Sequence, residues 1–163
     1  MQQLAEMITD FSADIELTPE LMTARRARIC ALEEAMRGVP EVCTDMHEYN
    51  DNEGEIQHHF ATGVYGRELK IPAGYVIVSK IHRGMTFNII TEGVIAVISE
   101  EGYHTYTAPC TFVSKPYTKR VVIAHEDTTW VTAHGTHETD LDKIEEEIIA
   151  KDFTELNRIE GEV

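Results

Sequence analysis

The chain reads as a mainly β protein, a barrel or sandwich of short strands with an α-helix before it and another after it. Three observations carry that expectation. Between Ala61 and Thr136, runs rich in Val, Ile, Thr and aromatic residues recur, with Gly or Pro between them about every eight to twelve residues. Apolar stripes of amphipathic helices are read before that stretch, at Ile29, Leu32, Met36 and Val39, and after it, at Leu141, Ile144 and Ile148. Inside it there is none of the helix-strand alternation of a parallel α/β fold.

Residues 1–16 have weak periodicity and suggest a short helix or a loosely held arm. At Thr18-Pro19-Glu20 the signals sharpen into a Thr N-cap, Pro at the first helical position and an acid in the first turn. Ile29, Leu32, Met36 and Val39 then form one apolar stripe, with Arg25, Arg26 and Arg28 mostly off it, and Gly38 and Pro40 end the helix. That stripe can bury against its own barrel or against a neighbouring subunit. Residues 44–59 are polar and acidic, with a loop at Asn50-Asp51-Asn52-Glu53-Gly54.

The strands follow in order: Val64 to Ile71, Tyr75 to Ile81, Phe87 to Ile90, Val94 to Ser99, Tyr103 to Thr107, Thr111 to Ser114, Val121 to Ala124 and Thr128 to His134. Turns are expected at Pro72-Ala73-Gly74, Thr91-Glu92-Gly93 and Glu100-Glu101-Gly102. At the C-terminus, Thr139 with Asp142 resembles a capping box, and Leu141, Ile144 and Ile148 make a stripe whose wet face carries Glu145, Glu146 and Glu147. Phe153, Leu156 and Ile159 can continue that helix after a break near Asp152. The expected division is a helical, acidic arm over 1–60, a barrel over 61–137 and a helical tail over 138–163.

With 163 residues and 42 % apolar content, one domain with a real core is expected. No apolar run approaches the ~18–20 residues of a membrane span, and the N-terminus has no leader-like basic and apolar regions, so a cytoplasmic protein is expected. Cys30, Cys43 and Cys110 are odd in number and far apart, which points to free thiols. The net charge of −15 is uneven: residues 1–62 carry 4 Lys/Arg against 13 Asp/Glu, residues 121–163 carry 3 against 12, and the centre carries 7 against 4. Acidic ends around a mildly basic centre disfavour nucleic acid, which needs clustered positive charge, but admit a small anion in the middle.

One register stands out: Gly74, Lys80, His82, Thr86 and Gly93. It resembles the first motif of the cupin family (Gly, five residues, His, one residue, His, three or four residues, Glu, six residues, Gly), with Lys80 at the first histidine and Thr86 at the glutamate. Cys110 to His125 resembles the second motif, with Pro116 in register, Cys110 and Thr118 at the glycines, Val121 at the histidine and His125 at the asparagine. The resemblance covers roughly Val64 to Thr136. It implies a double-stranded β-helix, the cupin jelly-roll barrel, and pairing of barrels into homo-oligomers.

A metal in that fold needs three imidazoles and a carboxylate converging from adjacent strands. Of the four motif positions only His82 keeps a metal donor, and His125 would add a second only if it faced inward. No metal and no other cofactor are expected. Lys80 and His82 are two apart on a strand and so face the same side. With Thr86, Tyr75 and His125 they form the candidate ligand-binding set, and Arg67, Lys119 and Arg120 are placed near the rim. Such a pocket suits a carboxylate, a sugar or a phosphate. His58-His59 and His134-x-x-His137 read as surface histidines, His104 as packing beside Tyr103 and Tyr106, and Glu126-Asp127 as solvent-facing. No catalytic residue stands out, since GxSxG and GxxxxGK[ST] are both missing.

The segments 63–68, 71–74, Lys119-Arg120 and 125–128 also resemble a cupin-like group found in tailed-phage genomes. That resemblance implies a phage accessory protein, in the particle or the host cytoplasm, with a phage or host protein as partner. The leading expectation is therefore a non-catalytic, oligomeric structural or interaction protein. The alternative is a cupin enzyme or a binder of a small ligand (sugar or carboxylate) that uses the barrel pocket.

Overall fold

Thr18 starts the first helix by accepting a hydrogen bond from Leu21 N at 3.2 Å, with Pro19 behind it in the first turn. The computed structural model of the chain describes residues 11, 16–44, 49 and 55–156. Helix α1 spans Pro19–Met36 and buries Arg25, Ile29, Leu32 and Met36. The stripe thus includes Arg25, which the sequence put off it, and excludes Val39, which is 43 % exposed. Arg25 lies one turn before Ile29, and its Nη1 donates to Glu100 O at 3.2 Å, so a charged side chain with a backbone partner can sit on an apolar face.

The strands are β1 (Val42–Cys43), β2 (Glu55–Ala61), β3 (Val64–Ile71), β4 (Val76–Val78), β5 (Ile81–His82), β6 (Thr86–Glu92), β7 (Val94–Ser99), β8 (Gly102–Thr107), β9 (Cys110–Ser114), β10 (Val121–Ala124), β11 (Thr128–Gly135) and β12 (Ile149–Ala150). One five-stranded sheet runs β1-β4-β10-β7-β8 and the other β2-β3-β11-β6-β9. All pairings are antiparallel except β1 with β4. This is a mainly β jelly-roll barrel with flanking helices.

Its turns use backbone that only glycine adopts easily. Gly93 links β6 to β7 at φ +87°, and a Cβ there would run into the backbone of Asp127 and Thr128. Two stretches join the barrel from outside the expected 61–137 boundary. Glu55–Ala61 pairs with Val64 to Lys70 of β3 as an edge strand, and Ile149–Ala150 pairs with β5.

Two apolar cores flank the first sheet. Val76, Val78, Ala96, Ile98, Val121 and Ile123 point outward and are covered by Ile29, Leu32 and Met36 of α1. Each of those three helix residues contributes roughly 1.5–3 kcal/mol by its burial. Leu69, Ile71, Ile77, Ile90, Ile95, Val97, Val122 and Trp130 fill the space between the two sheets. The first helix is therefore docked on its own barrel.

The second helix, α2, spans Leu141–Ile148. Its cap is Asp140, which accepts from Asp142 N and Lys143 N at 3.1 and 3.2 Å, in place of the expected Thr139. The chain then turns extended as β12 and breaks at Asp152, whose Oδ1 accepts from Thr154 N at 2.8 Å; residues 154–156 are helical again, and Ile159 lies outside the described residues.

Candidate functional site

The second sheet stacks inward side chains in rows, as strand alternation requires. Leu69, Trp130 and Ile90 are register partners in one row, and Arg67, Thr132 and Asn88 in the next. Tyr65 and His134 pair beyond them. Going along β3 and β11, the interior thus passes from apolar to polar within two rows. Just beyond the paired ends of β4 and β10, Ser79 N donates to Arg120 O at 2.8 Å and Arg120 N donates to Ser79 Oγ at 3.0 Å, and both residues line one small cavity.

His82 is delivered from β5, which is held from outside by Ile149 of β12 as its register partner. Arg83 reinforces the joint: its N donates to Ile148 O at 2.8 Å and its guanidinium forks onto the Glu155 carboxylate at 2.8 and 3.0 Å. Inside, His82 Nδ1 and Thr86 Oγ1 share a hydrogen bond of 2.9 Å. The His82 ring meets the His134 ring edge-on with centroids 5.0 Å apart, and His134 stacks on Tyr65, whose hydroxyl bonds His58 Nδ1 at 2.8 Å.

The network around Asn88 is closed. Its amide nitrogen donates to Ser114 Oγ at 2.7 Å and to Thr86 O at 2.9 Å, and its carbonyl oxygen accepts from Trp130 Nε1 at 3.2 Å. The polar groups beside it are open. Arg67 Nε, Arg120 Nη2 and His134 Nε2 are buried with no hydrogen-bond partner among the described residues. A buried donor left unmade costs about 1–3 kcal/mol, and more when charged.

Burial is the largest influence on all four titratable groups. It pushes the Arg67 guanidinium below its ordinary range and Arg120 down to about 10. Burial, with Arg67 and Arg120 adding their positive charge, lowers His134 to about 4. His82 is held well below the usual histidine range by burial, then by Arg67, His134 and Arg120. The interior therefore holds two cationic guanidinium groups and two neutral imidazoles near neutral pH.

Two cavities meet at Arg67 and Lys80. The inner one, of about 20 Å³, also touches Ser79, His82, Arg120 and Thr132. The outer one, of about 260 Å³, opens between β2–β3 and α2. Lys80 stands at the junction with its Nζ 2.8 Å from Glu145 Oε1 of α2.

This donor set does not fit a divalent metal. Among the described residues no three His, Cys, Asp or Glu side chains converge, and the groups facing His82 and His134 are guanidinium groups that repel a cation.

No family profile matches the chain, and no curated protein does. Cupins are among the solved structures that it resembles. A cupin superfamily protein from Desulfitobacterium hafniense DCB-2 aligns at a TM-score of 0.47 and 8 % identity, over 52 % of this chain and 78 % of that one. An RmlC-like cupin from Shewanella frigidimarina NCIMB 400 aligns at 0.48 and 14 %, over 60 % and 86 %. An acetylacetone dioxygenase from Acinetobacter johnsonii aligns at 0.44 and 20 %, over 50 % of this chain and 59 % of the enzyme. Likeness at this level carries no activity, substrate or residue role to this chain.

Of the residues that the cupin-like motifs single out, Lys80, His82 and Thr86 come together at the polar end. Tyr75 and His125 do not join them. Tyr75 is buried in the apolar interior edge-on to Tyr49, with ring centroids 6.2 Å apart, and the His125 side chain is exposed. Val121, aligned with a motif histidine, faces α1 on the outside of the barrel; its neighbour Arg120 faces in. Arg120 is thus an interior residue, not a rim residue, while Lys119 pairs with Glu33 of α1 at 3.0 Å.

His134 is 6 % exposed and corrects its reading as a surface histidine. Its signal was present in the sequence. Thr128, Trp130, Thr132 and His134 alternate along β11, and all four are buried. The same alternation through Tyr65, Leu69 and Ile71, all buried, puts Arg67 on the inward face, where it is half-buried.

Proposed function

We propose that this barrel binds a small organic anion at its polar end, with Arg67 and Arg120 as the charged grips. One observation carries the reading: two guanidinium groups have unpartnered nitrogens in the barrel interior, and no carboxylate hydrogen-bonds to either among the described residues. Charges enclosed in protein are normally paired, so an interior of this kind is complementary to a ligand that brings its own negative charge. A carboxylate suits a guanidinium because two oxygens match two N–H donors in one plane. The neutral imidazoles of His82 and His134 can each donate or accept one further hydrogen bond without adding charge. Among the ligands that the sequence suggests, a carboxylate is favoured over a sugar because the uncommitted donors are cationic.

The test is calorimetric titration of the full chain with acetate and with acetamide, which has the same shape and no charge. Saturable binding of acetate alone, lost in both Arg67→Met and Arg120→Met, is expected. Equal binding of acetate and acetamide, or acetate binding that survives both substitutions, would sink the reading.

A second reading, the oligomeric interaction protein, is favoured by the outer face of the β2-β3-β11-β6-β9 sheet. Phe87 and Val113 are register partners there and are 46 % and 60 % exposed, whereas α1 covers the outer face of the other sheet. A second copy of the chain is the occupant this reading names. Native mass spectrometry showing a dimer that Val113→Asp dissociates would support it, and a monomer at micromolar concentration would oppose it. The phage setting gains no support from the fold or its neighbours.

A further inference from the structure

The outer cavity is built of two unlike halves, and that difference narrows the ligand. One end is polar: Arg67 and Lys80 are shared with the inner cavity, where Arg67 Nε lacks a partner. The other end is apolar, walled by Ile56 of β2 and by Ile144 and Ile148 of α2. Ile56 and Ile148 are only half-buried, so apolar surface on both sides of the gap remains to be covered. The volume of about 260 Å³ falls just under the roughly 300–1,000 Å³ of drug-sized pockets, which suits a small molecule.

The charges along this path also discriminate. Asp142 and Glu145 line the outer cavity from α2. A ligand with an anionic group at each end would set its second charge against these carboxylates. A ligand with one anionic end and an apolar body meets cations at one end and isoleucines along the other. A polyhydroxylated ligand would place hydroxyls against the isoleucine wall and leave them without partners, which is costly.

We infer that the ligand is a monocarboxylate with a short apolar body, its carboxylate on Arg67 and its body lying beneath α2 against Ile56, Ile144 and Ile148. This rests on the anion-binding reading above and specifies the ligand for that site. Helix α2 thereby becomes part of the binding site, and the β12–β5 pairing couples its end to the strand that carries His82.

The experiment is calorimetric titration of the full chain with acetate, butyrate, hexanoate and octanoate, alongside succinate and adipate. Affinity is expected to rise by up to about fourfold per methylene until the cavity is filled, with each dicarboxylate weaker than the monocarboxylate of equal length. In Ile148→Ala the gain in affinity with chain length is expected to shrink. Arg67-dependent acetate binding with no gain from chain length would overturn this inference and leave the anion reading standing. Tighter binding of the dicarboxylates would also overturn it. No binding of any carboxylate would sink both.

Discussion

His134 and His82 meet edge-on with ring centroids 5.0 Å apart, although they come from strands more than fifty residues apart in the chain. Both rings are enclosed, and both feel the positive charge of Arg67 and Arg120.

That pair makes stability depend on pH with a definite sign. In the unfolded chain a histidine protonates near 6.5, whereas folded His134 protonates at about 4. Between those values the unfolded state binds more protons, so the His134 contribution is complete above pH 6.5 and is lost as pH falls toward 4. The loss is on the order of 3 kcal/mol for His134 alone. Urea melts at pH 7 and pH 4.5 should show it, and His134→Phe should flatten the dependence.

Arg67→Met removes a half-buried cation whose Nε has no partner among the described residues and keeps most of its volume. The folded protein without ligand should be as stable as the wild type or more so, by roughly 1 kcal/mol, which is about 2–4 °C in Tm for a domain of this size. Thermal melts with and without acetate check both halves of the expectation: a Tm that does not fall, and a ligand-induced shift that disappears.

Lys80 is paired with Glu145 at 2.8 Å, so an anion bound at Arg67 would compete with Glu145 for it. The ion pair is partly exposed, with 31 % and 40 % of the two side chains accessible, so its strength is at most about 1 kcal/mol. Glu145→Gln should tighten acetate binding by up to about fivefold, read as a fall in Kd by calorimetry at low salt. A rise in Kd would mean that Glu145 helps to hold the ligand.

Arg25 joins α1 to the barrel. It is 1 % exposed, donates to Glu100 O and lies over the Phe11 ring at 5.2 Å. Arg25→Ala leaves a buried carbonyl without this donor and opens a cavity, at a cost of about 2–4 kcal/mol. Arg25→Met, which keeps the volume, should cost less. Denaturant unfolding of the two variants separates the packing share from the hydrogen bond.

The sequence by itself determined the strand frame and the first helix. Val64–Ile71, Val94–Ser99 and Val121–Ala124 follow the runs of β-forming residues, and Thr18-Pro19 starts α1 through local capping chemistry. Lys80, His82 and Thr86 were legible for a related reason: they lie within seven residues of one another, on β5, the residue pair before it and the start of β6.

Tertiary structure decided what those elements enclose. Val121–Ala124 is buried on both faces because α1 covers the outside, so no alternation in the sequence shows that Val121 faces the helix. Glu55–Ala61 has six exposed residues of seven and becomes a strand only because β3 offers it an open edge. His134 was recoverable from the alternation along β11, yet nothing local to β11 reveals that His82 and Arg67 lie beside it. Short-range signals come from capping and periodicity, which act over a few residues. The polar end of the barrel depends on strand register across long separations, and only the closed sheet fixes that.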